Sequence, residues 1–263
     1  MIEFQNLTKS FPNKPDSRSG GGNSSLIIGD FSDQIQAKDF VGVLGPSGCG
    51  KSTLLRLIAQ LEKPDSGKIN LNPQLQLAFV FQESNLLPWL SVEENALLHY
   101  SLHGNKPDLK LLSQWLDRLN LQSAKNKFPH ELSGGMKMRA SFLRAMMMKP
   151  ELLLLDEPFA ALDEVIRVEL QRELFIISRE QDITVIFVTH SISEAVKLCD
   201  RIMLLDYGGK KILDQRQDFG NYQFQLSNSQ QNFANEILSK FPKQREFSDD
   251  KPFLESAKLK GAL

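Results

Sequence analysis

Residues 45–52 constrain this chain more than any other segment. Their sequence, GPSGCGKS, matches the pattern G-x-x-x-x-G-K-[ST] of a phosphate-binding loop. The apolar run at residues 40–44 predicts a buried strand before the loop, and residues 51–61 predict a helix after it. A strand, a glycine-rich loop and a helix in this order predict an α/β fold that binds a nucleotide.

The chemistry of this phosphate loop follows from its residue types. Gly45, Gly48 and Gly50 tolerate a positive φ angle, so successive backbone N–H groups can curl around an anion. The helix that begins near Lys51 adds the partial positive charge of its N-terminus. We expect the Lys51 ammonium at the β- and γ-phosphates and the Ser52 hydroxyl as a ligand of Mg²⁺. Kinases, GTPases, helicases and transporters are all compatible with such a loop.

Composition narrows the class of protein. The 263 residues are 41% hydrophobic and 24% charged, with a formal net charge of −1, which is an ordinary globular mixture. This charge balance gives no overall field that would attract nucleic acid. Cys49 and Cys199 are too few for a disulfide scaffold, and no apolar run is long enough to span a bilayer. The sequence therefore predicts a soluble intracellular protein with no nucleic acid partner.

Short apolar runs alternate with helical patterns along the chain. Further strands are predicted at residues 1–7, 25–35, 75–81, 152–155 and 183–188. Helical spacing covers residues 91–149 and 164–179, which predicts a largely parallel sheet interrupted by a helical subdomain. The Pro- and Gly-rich segment 12–25 is expected to be a mobile loop. After residue 214 the chain is polar, with one helix predicted at 230–240 and a frayed tail.

Two consecutive acids, Asp156 and Glu157, follow four leucines at residues 152–155. A carboxylate at the C-terminal end of a parallel strand, beside a phosphate loop, is well placed to bind Mg²⁺, and we expect Asp156 there. Glu157 comes next and is free of the metal. We therefore expect it to polarise an attacking water as a general base.

A second anion site is predicted where a helix begins after Leu132. Ser133 is a favourable N-cap residue, and Gly134 and Gly135 expose backbone N–H groups at the positive end of the helix dipole. Core packing explains the later methionines of this helix but not Met136. Residues 132–136 are called the signature segment below.

These motifs, in this order, resemble the ATP-binding-cassette ATPases, and specifically the nucleotide-binding subunit of a bacterial importer. The resemblance covers residues 1–215 and includes GPSGCGKSTLLRLIA, FVFQESNLLPWLSVEEN, ELSGGMKMRA and LLLLDEPFAALDE. This wording is most similar to the branch that imports nitrate, sulfonates, taurine or thiamine precursors. The resemblance implies a P-loop NTPase core with an antiparallel β subdomain, a helical subdomain at about 88–149, and a poorly defined extension at 216–263.

The resemblance implies roles for further residues. Gln82 would reach Mg²⁺ and the attacking water, and His190 would hydrogen-bond the γ-phosphate and position Glu157. Phe11 would stack on adenine, and Asp163 would lie at an interface between protomers. The implied catalytic residues are Glu157, His190 and Lys51, and the implied Mg²⁺ ligands are Ser52, Gln82 and Asp156. The implied ATP-binding set is Phe11, Gly45, Pro46, Ser47, Gly48, Cys49, Gly50, Lys51, Ser52, Thr53 and Gln82.

The resemblance also implies an assembly. A homodimer or paired cassette would enclose ATP between Lys51 of one protomer and the signature segment of the other, namely Leu132, Ser133, Gly134, Gly135 and Met136. Residues 86–89 would help to form a groove for integral-membrane permease subunits at the cytoplasmic face of the inner membrane. A periplasmic solute-binding protein would belong to the same system.

Other cassette ATPases are the alternatives. A chromosome-maintenance or DNA-repair ATPase would place a long coiled coil between Lys51 and Asp156, but only 105 residues separate them. A translation-type factor usually carries two cassettes per chain, whereas one is found here. A lipid-trafficking cassette is poorly excluded by the sequence.

Three departures from the family pattern are Met136 in place of Gln, Gln60 in place of Gly, and an insertion at 16–25.

Overall fold

The computed structural model describes residues 1–12, 24–217, 222 and 225–242. The strands of these residues are β1 (Ile2–Pro12), β2 (Ser24–Ile35), β3 (Phe40–Leu44), β4 (Ser66–Asn70), β5 (Leu77–Val80), β6 (Leu152–Asp156), β7 (Thr184–Val188), β8 (Arg201–Leu205) and β9 (Lys211–Arg216). The α-helices are α1 (Lys51–Ile58), α2 (Val92–Ala96), α3 (Leu98–His103), α4 (Leu109–Arg118), α5 (Gly134–Met146), α6 (Glu164–Glu180), α7 (Ile192–Leu198) and α8 (Asn228–Lys240).

The larger sheet has six strands in the order β5-β6-β7-β3-β8-β9. The first five are parallel, and β9 pairs antiparallel with β8. Every residue of β3, β6, β7 and β8 is buried. One face of the sheet is covered by α1 and the smaller sheet, and the other face by the remaining helices. The four leucines of β6 alternate between two hydrophobic clusters, with Leu153 and Leu155 in one and Leu152 and Leu154 in the other.

The smaller sheet is antiparallel, with strand order β2-β1-β4. Register shifts interrupt the pairing of β1 with β2, and β1 continues to Pro12 instead of ending at Leu7 as the sequence suggests. Arg201, at the start of β8, joins the two sheets because its guanidinium donates to Asp33 Oδ1 and to the carbonyl of Gln34, both at 2.6 Å. These contacts hold the end of β2 against the start of β8.

A helical segment runs from α2 to α5 between β5 and β6, as the sequence predicts. Its α4 buries Leu112, Trp115 and Leu116. The later methionines of α5 lie in the core, since Met138 and Met146 are each less than 5% exposed, whereas Met136 is half-buried. Among the helices of the described residues, none has the length and apolarity needed to cross a membrane.

Several predicted boundaries change in the structure. The helix α1 ends at Ile58 and not at 61, because Gln60 adopts a left-handed conformation with φ 57°. The strands β4, β8 and β9 are not predicted from the sequence. The C-terminal helix α8 begins two residues earlier than expected. Residues 13–23 of the predicted mobile loop, most of the 16–25 insertion, and the tail beyond residue 242 lie outside the described residues.

Candidate active site

The phosphate loop connects β3 to α1 and has the conformation that its glycines predict. The φ angles of Gly45, Gly48 and Gly50 are 154°, 79° and 107°. A Cβ on Gly50 would lie 2.7 Å from the carbonyl oxygen of Ile27, so only glycine fits there without a shift of the backbone. The first turn of α1 therefore presents its N–H groups to the space above the loop.

Lys51 is 6% exposed, although its side chain carries a full charge. Its ammonium donates to the carbonyl oxygens of Gly45 and Pro46, at 2.9 and 3.0 Å. These bonds fold the side chain over the loop. Carbonyl oxygens carry no net charge, so these two bonds leave the positive charge of the ammonium available to attract an anion such as a phosphate.

Asp156, the last residue of β6, lies against the phosphate loop. Its Oδ1 accepts a 2.8 Å hydrogen bond from the Ser52 hydroxyl, and the residue is 6% exposed. Burial raises the pKa of the Asp156 carboxyl, and a divalent cation beside it would favour the ionised form. A buried carboxylate and a hydroxyl in contact supply the oxygen donors that Mg²⁺ prefers, so these two residues fit that ion.

Glu157 follows β6 in a left-handed conformation with φ 46°, which is uncommon for a residue other than glycine. This turn directs its carboxylate towards the loop after β7, where Glu157 Oε2 lies 3.0 Å from His190 Nδ1. The His190 side chain is 63% exposed, whereas that of Glu157 is 21% exposed. The pair therefore meets at the surface and has one open side.

Phe11 and the phosphate loop line one pocket of about 270 Å³. The remaining lining residues are Ile27, Ser47, Gly48, Gly50, Lys51, Ser52, Thr53 and Glu157. The Lys9 ammonium lies 5.1 Å from the centre of the Phe11 ring. The pocket thus has an aromatic side at Phe11 and an anion-binding side at the loop.

Other residues of the expected ATP-binding set do not line this pocket. Pro46 and Cys49 are buried, and the Cys49 thiol packs beneath Gly45. Burial raises the pKa of the Cys49 thiol. Gln82 is exposed two residues beyond β5. The register of β5 with β6 pairs Val80 with Leu155, so Gln82 and Glu157 follow adjacent strands at the same edge of the sheet.

The signature segment lies apart from this pocket, since none of its five residues, all of them described, is among those that line it. Ser133 caps α5 as predicted, with its hydroxyl accepting from the backbone N–H of Met136 at 3.3 Å. Gly135 packs against Ile166, whereas a Cβ on Gly134 would meet no atom within 4 Å. The exposed side of this helix start therefore faces open space.

Asp163 is exposed and caps α6, with its carboxylate accepting from the backbone N–H of Ile166 at 3.0 Å. Ile166 is also the residue beneath Gly135. The cap of α6 and the signature segment are therefore neighbours on one face.

Comparison with known proteins decides the family. The profile of the ABC transporter family matches residues 28–160, half of the chain. The aliphatic sulfonates import ATP-binding protein SsuB of Bacillus licheniformis is 41% identical over 192 residues, which are 70% of this chain and 74% of that protein. This chain belongs to the ABC transporter family.

Two further comparisons, one by sequence and one by structure, show which ABC transporter proteins this chain is similar to. The nitrate import ATP-binding protein NrtC of Synechococcus elongatus is 41% identical over 198 residues, which are 72% of this chain but only 30% of that protein. The ATP-binding cassette MJ0796, solved as a dimer in a post-hydrolysis state with ADP and Pi, aligns with a TM-score of 0.72 at 28% identity. That alignment covers 83% of this chain and 100% of MJ0796. The fold of an ABC ATPase cassette, expected from the sequence, is confirmed.

Sequence reasoning missed one group of residues in this ABC transporter site. The carboxylate of Glu194, which is 13% exposed, lies behind His190 and accepts a 2.6 Å hydrogen bond from the Thr189 hydroxyl. The pattern Ser191-x-x-Glu194 is that of a helix capping box, and this signal alone could have drawn attention to the segment. In the structure Ser191 does cap α7, but Glu194 binds Thr189.

Proposed function

We propose that this ABC transporter chain is the ATP-binding and ATP-hydrolysing subunit of an importer for a small solute. The observation that supports this most is the meeting of three elements at one edge of the sheet. The phosphate loop holds Lys51, β6 ends in Asp156 and Glu157, and β7 leads to His190 beside Glu157. A site with a phosphate cradle, a metal ligand and a paired base suits hydrolysis of a nucleoside triphosphate.

Each side chain then has a distinct task. Lys51 and the loop N–H groups hold the β- and γ-phosphates, and Phe11 packs on the base. Mg²⁺ would be held by Ser52, Asp156 and Gln82, and it would neutralise charge on the phosphates. Glu157 accepts a proton from the attacking water, and His190 fixes the direction of the Glu157 carboxylate. Most of the rate enhancement is then electrostatic positioning.

Two copies of the chain complete the site in this proposal. The signature segment does not line the phosphate-loop pocket of its own chain, and Ser133 and Gly134 are exposed. A helix N-terminus with free N–H groups binds anions, so it suits the γ-phosphate held by a second copy. Asp163, exposed beside the signature segment, would lie at the same interface. MJ0796 was solved as a dimer, which agrees with this arrangement.

A groove in the helical subdomain suits a permease subunit. It has a volume of about 210 Å³ and is lined mainly by apolar side chains, among them Phe79, Leu98 and Met148. Leu102 lines it and is 74% exposed. Arg144, also in its wall, donates to the carbonyl oxygens of Ser84 and Asn85 and so links the groove to the segment before residues 86–89. Within residues 86–89 Leu86 is buried, whereas Trp89 is 69% exposed and offers a large apolar surface for contact.

The occupant we propose is a short cytoplasmic helix of the permease, because the relatives are import subunits and the groove is apolar. The chain would lie on the cytoplasmic face of the inner membrane and act with a periplasmic solute-binding protein. The solute would be nitrate, a sulfonate, taurine or a pyrimidine-like compound. The cassette would occupy residues 1–215 and the C-terminal extension residues 216–263.

Hydrolysis is tested with the full chain and MgATP. Lys51→Ala should abolish phosphate release and weaken ATP binding, because the loop loses its full positive charge. Lys38→Ala is the matched control, since Lys38 is exposed and pairs with Asp182 away from the site. A Lys51→Ala protein that hydrolyses ATP like the wild type would contradict the proposal.

Docking is tested by co-purification with the permease subunits. Leu102→Asp should abolish co-purification and leave basal ATP hydrolysis within about twofold, because it puts a charge in an apolar groove. Leu238→Asp on α8 is the control, as Leu238 is 62% exposed and lies outside the groove. Equal retention of the permease by both variants would rule out this groove.

A further inference from the structure

A largely buried carboxylate holds the loop that carries His190. The Glu194 side chain lies in the first turn of α7 and is 13% exposed. Its Oε2 accepts the Thr189 hydroxyl at 2.6 Å, and its Oε1 accepts the Gln171 side-chain amide at 3.1 Å. Arg167 adds attraction, with its Nε at 3.9 Å from the same Oε1. Both oxygens of one carboxylate are thus engaged, one by the loop and one by α6.

The loop between β7 and α7 is short and is held at both sides of His190. The Thr189 hydroxyl donates to Glu194 and accepts from the backbone N–H of Ser191 at 3.0 Å. The Ser191 hydroxyl in turn accepts from the backbone N–H of Glu194 at 3.3 Å. His190 lies between these two anchored residues. These contacts fix the backbone position from which the His190 side chain reaches Glu157.

A pocket of about 350 Å³ lies between this loop and α6. Its lining includes Glu157, Arg167, Thr189, His190 and Glu194. Beside this pocket, the hydrogen bonds of Glu194 to Thr189 and to Gln171 join the loop to α6.

The same carboxylate reaches the segment beside Asp163. Gln171, 2% exposed, and Arg167 are both on α6, whose N-cap is Asp163. Arg167 also donates to the carbonyl of Leu162 at 2.7 Å. A displacement of the start of α6 would therefore be transmitted to Glu194 and then to the loop.

We propose that Glu194, through Thr189, is a positioning residue that sets the His190–Glu157 geometry and ties it to the start of α6. This inference rests on the role of His190 proposed above. Burial raises the pKa of the Glu194 carboxyl, and hydrogen bonds to a partly desolvated carboxylate are stronger than in water. A misplacement of about 1 Å at a catalytic group can cost up to about 100-fold in rate, so small shifts of this loop are expected to be visible in kcat.

The test compares Thr189→Val, which keeps the shape but loses the hydroxyl, with Thr189→Ser, which keeps the hydroxyl. Each is measured in the full-length chain, alone and combined with His190→Ala. Single-turnover hydrolysis of radiolabelled ATP with protein in excess resolves slow rates, and binding of a fluorescent ATP analogue reports affinity. Circular dichroism checks folding, and Glu194→Gln is the second variant should Thr189→Val not fold.

We expect Thr189→Val to lower the hydrolysis rate by about tenfold or more, with ATP affinity within about threefold of wild type. Thr189→Ser should retain at least about half of the wild-type rate. In the His190→Ala background, Thr189→Val should lower the rate by less than about twofold, because it acts through His190. A structural role would give the same loss in both backgrounds.

Three results would overturn the inference while His190→Ala still lowers the rate. They are a normal rate in Thr189→Val, an equal loss in Thr189→Ser, and a full additional loss in the His190→Ala background. A wild-type rate in His190→Ala alone would instead overturn the proposed role of His190, and this inference with it. The two failures are therefore distinguishable.

Discussion

His190 Nδ1 lies 3.0 Å from Glu157 Oε2, across the ends of two adjacent parallel strands. The register of β6 with β7 pairs Asp156 with Val188, and the backbone N–H of Glu157 donates to the carbonyl of Val188 at 3.0 Å. Glu157 adopts a left-handed φ of 46° where it contacts His190. An uncommon backbone conformation at a carboxylate beside a phosphate loop is consistent with a functional constraint.

Glu157→Gln should lower MgATP hydrolysis by about 10²–10⁴-fold, because an amide cannot accept the proton of the attacking water. Affinity for ATP should stay within about threefold, since the phosphate loop is unchanged. Phosphate release and binding of a fluorescent ATP analogue measure the two quantities. Glu180→Gln, at the exposed C-terminal end of α6, is the control. A wild-type rate of hydrolysis in Glu157→Gln would show that Glu157 is not the general base.

Gln60→Gly should stabilise the chain. Gln60 is exposed and follows α1 with φ 57°, a conformation that costs a residue with a Cβ about 1–2 kcal/mol. Glycine avoids this cost but loses part of the gain through its more flexible unfolded state, so we expect a net increase of up to about 1 kcal/mol in the free energy of unfolding. Urea denaturation measures it. Gln60→Ala, which keeps a Cβ, should show no such gain, and equal stability of the two variants would contradict the explanation.

Asp214→Asn should destabilise the fold in a pH-dependent way. Burial alone would raise the pKa of Asp214, but hydrogen bonds from Arg201 and Lys211 outweigh it and the pKa lies below its ordinary value. A carboxyl with a lowered pKa stabilises the fold above its ordinary pKa of about 3.9, and this contribution is lost as the pH falls through the lowered value.

We therefore expect Asp214→Asn to cost about 1–3 kcal/mol at pH 7, with a difference from wild type that shrinks below about pH 4. Urea denaturation from pH 7 to pH 3 provides the comparison. Asp182→Asn is the control, because Asp182 and its partner Lys38 are both more than 60% exposed. A cost independent of pH would show that the charge of Asp214 does not contribute.

The central strands could be predicted because they are buried on both faces. The runs at residues 40–44 and 152–155 are continuously apolar, and such runs are typical of parallel strands. The strand β4, with the sequence SGKIN, escapes this signal because only Ile69 offers an apolar side chain. The strand β8 was hidden by Arg201 at its start, whose charge is compensated by Asp33 and Asp214 from distant segments.

The candidate site also contains some features that the local sequence predicts and others that it does not. The phosphate loop is local, so its eight residues predict its glycine conformations directly. The left-handed turn at Glu157 and the carboxylate of Glu194 behind His190 depend on contacts between separate strands and helices. No pattern in the local sequence predicts those contacts between separate elements. Asp163 and Ser133 were identified by residue type and resemblance, and both prove to be helix N-caps.

The central claim is that two copies of the chain share each ATP, and mixing two inactive variants tests it most directly. Lys51→Ala lacks the phosphate-loop charge, and Ser133→Arg blocks the signature segment. Each protein alone should be inactive. A mixed dimer contains one site with an intact Lys51 from one copy and an intact Ser133 from the other, so the mixture should hydrolyse MgATP well above the sum of the two. Two proteins that stay inactive when mixed, each folded by circular dichroism, would contradict a site shared between copies.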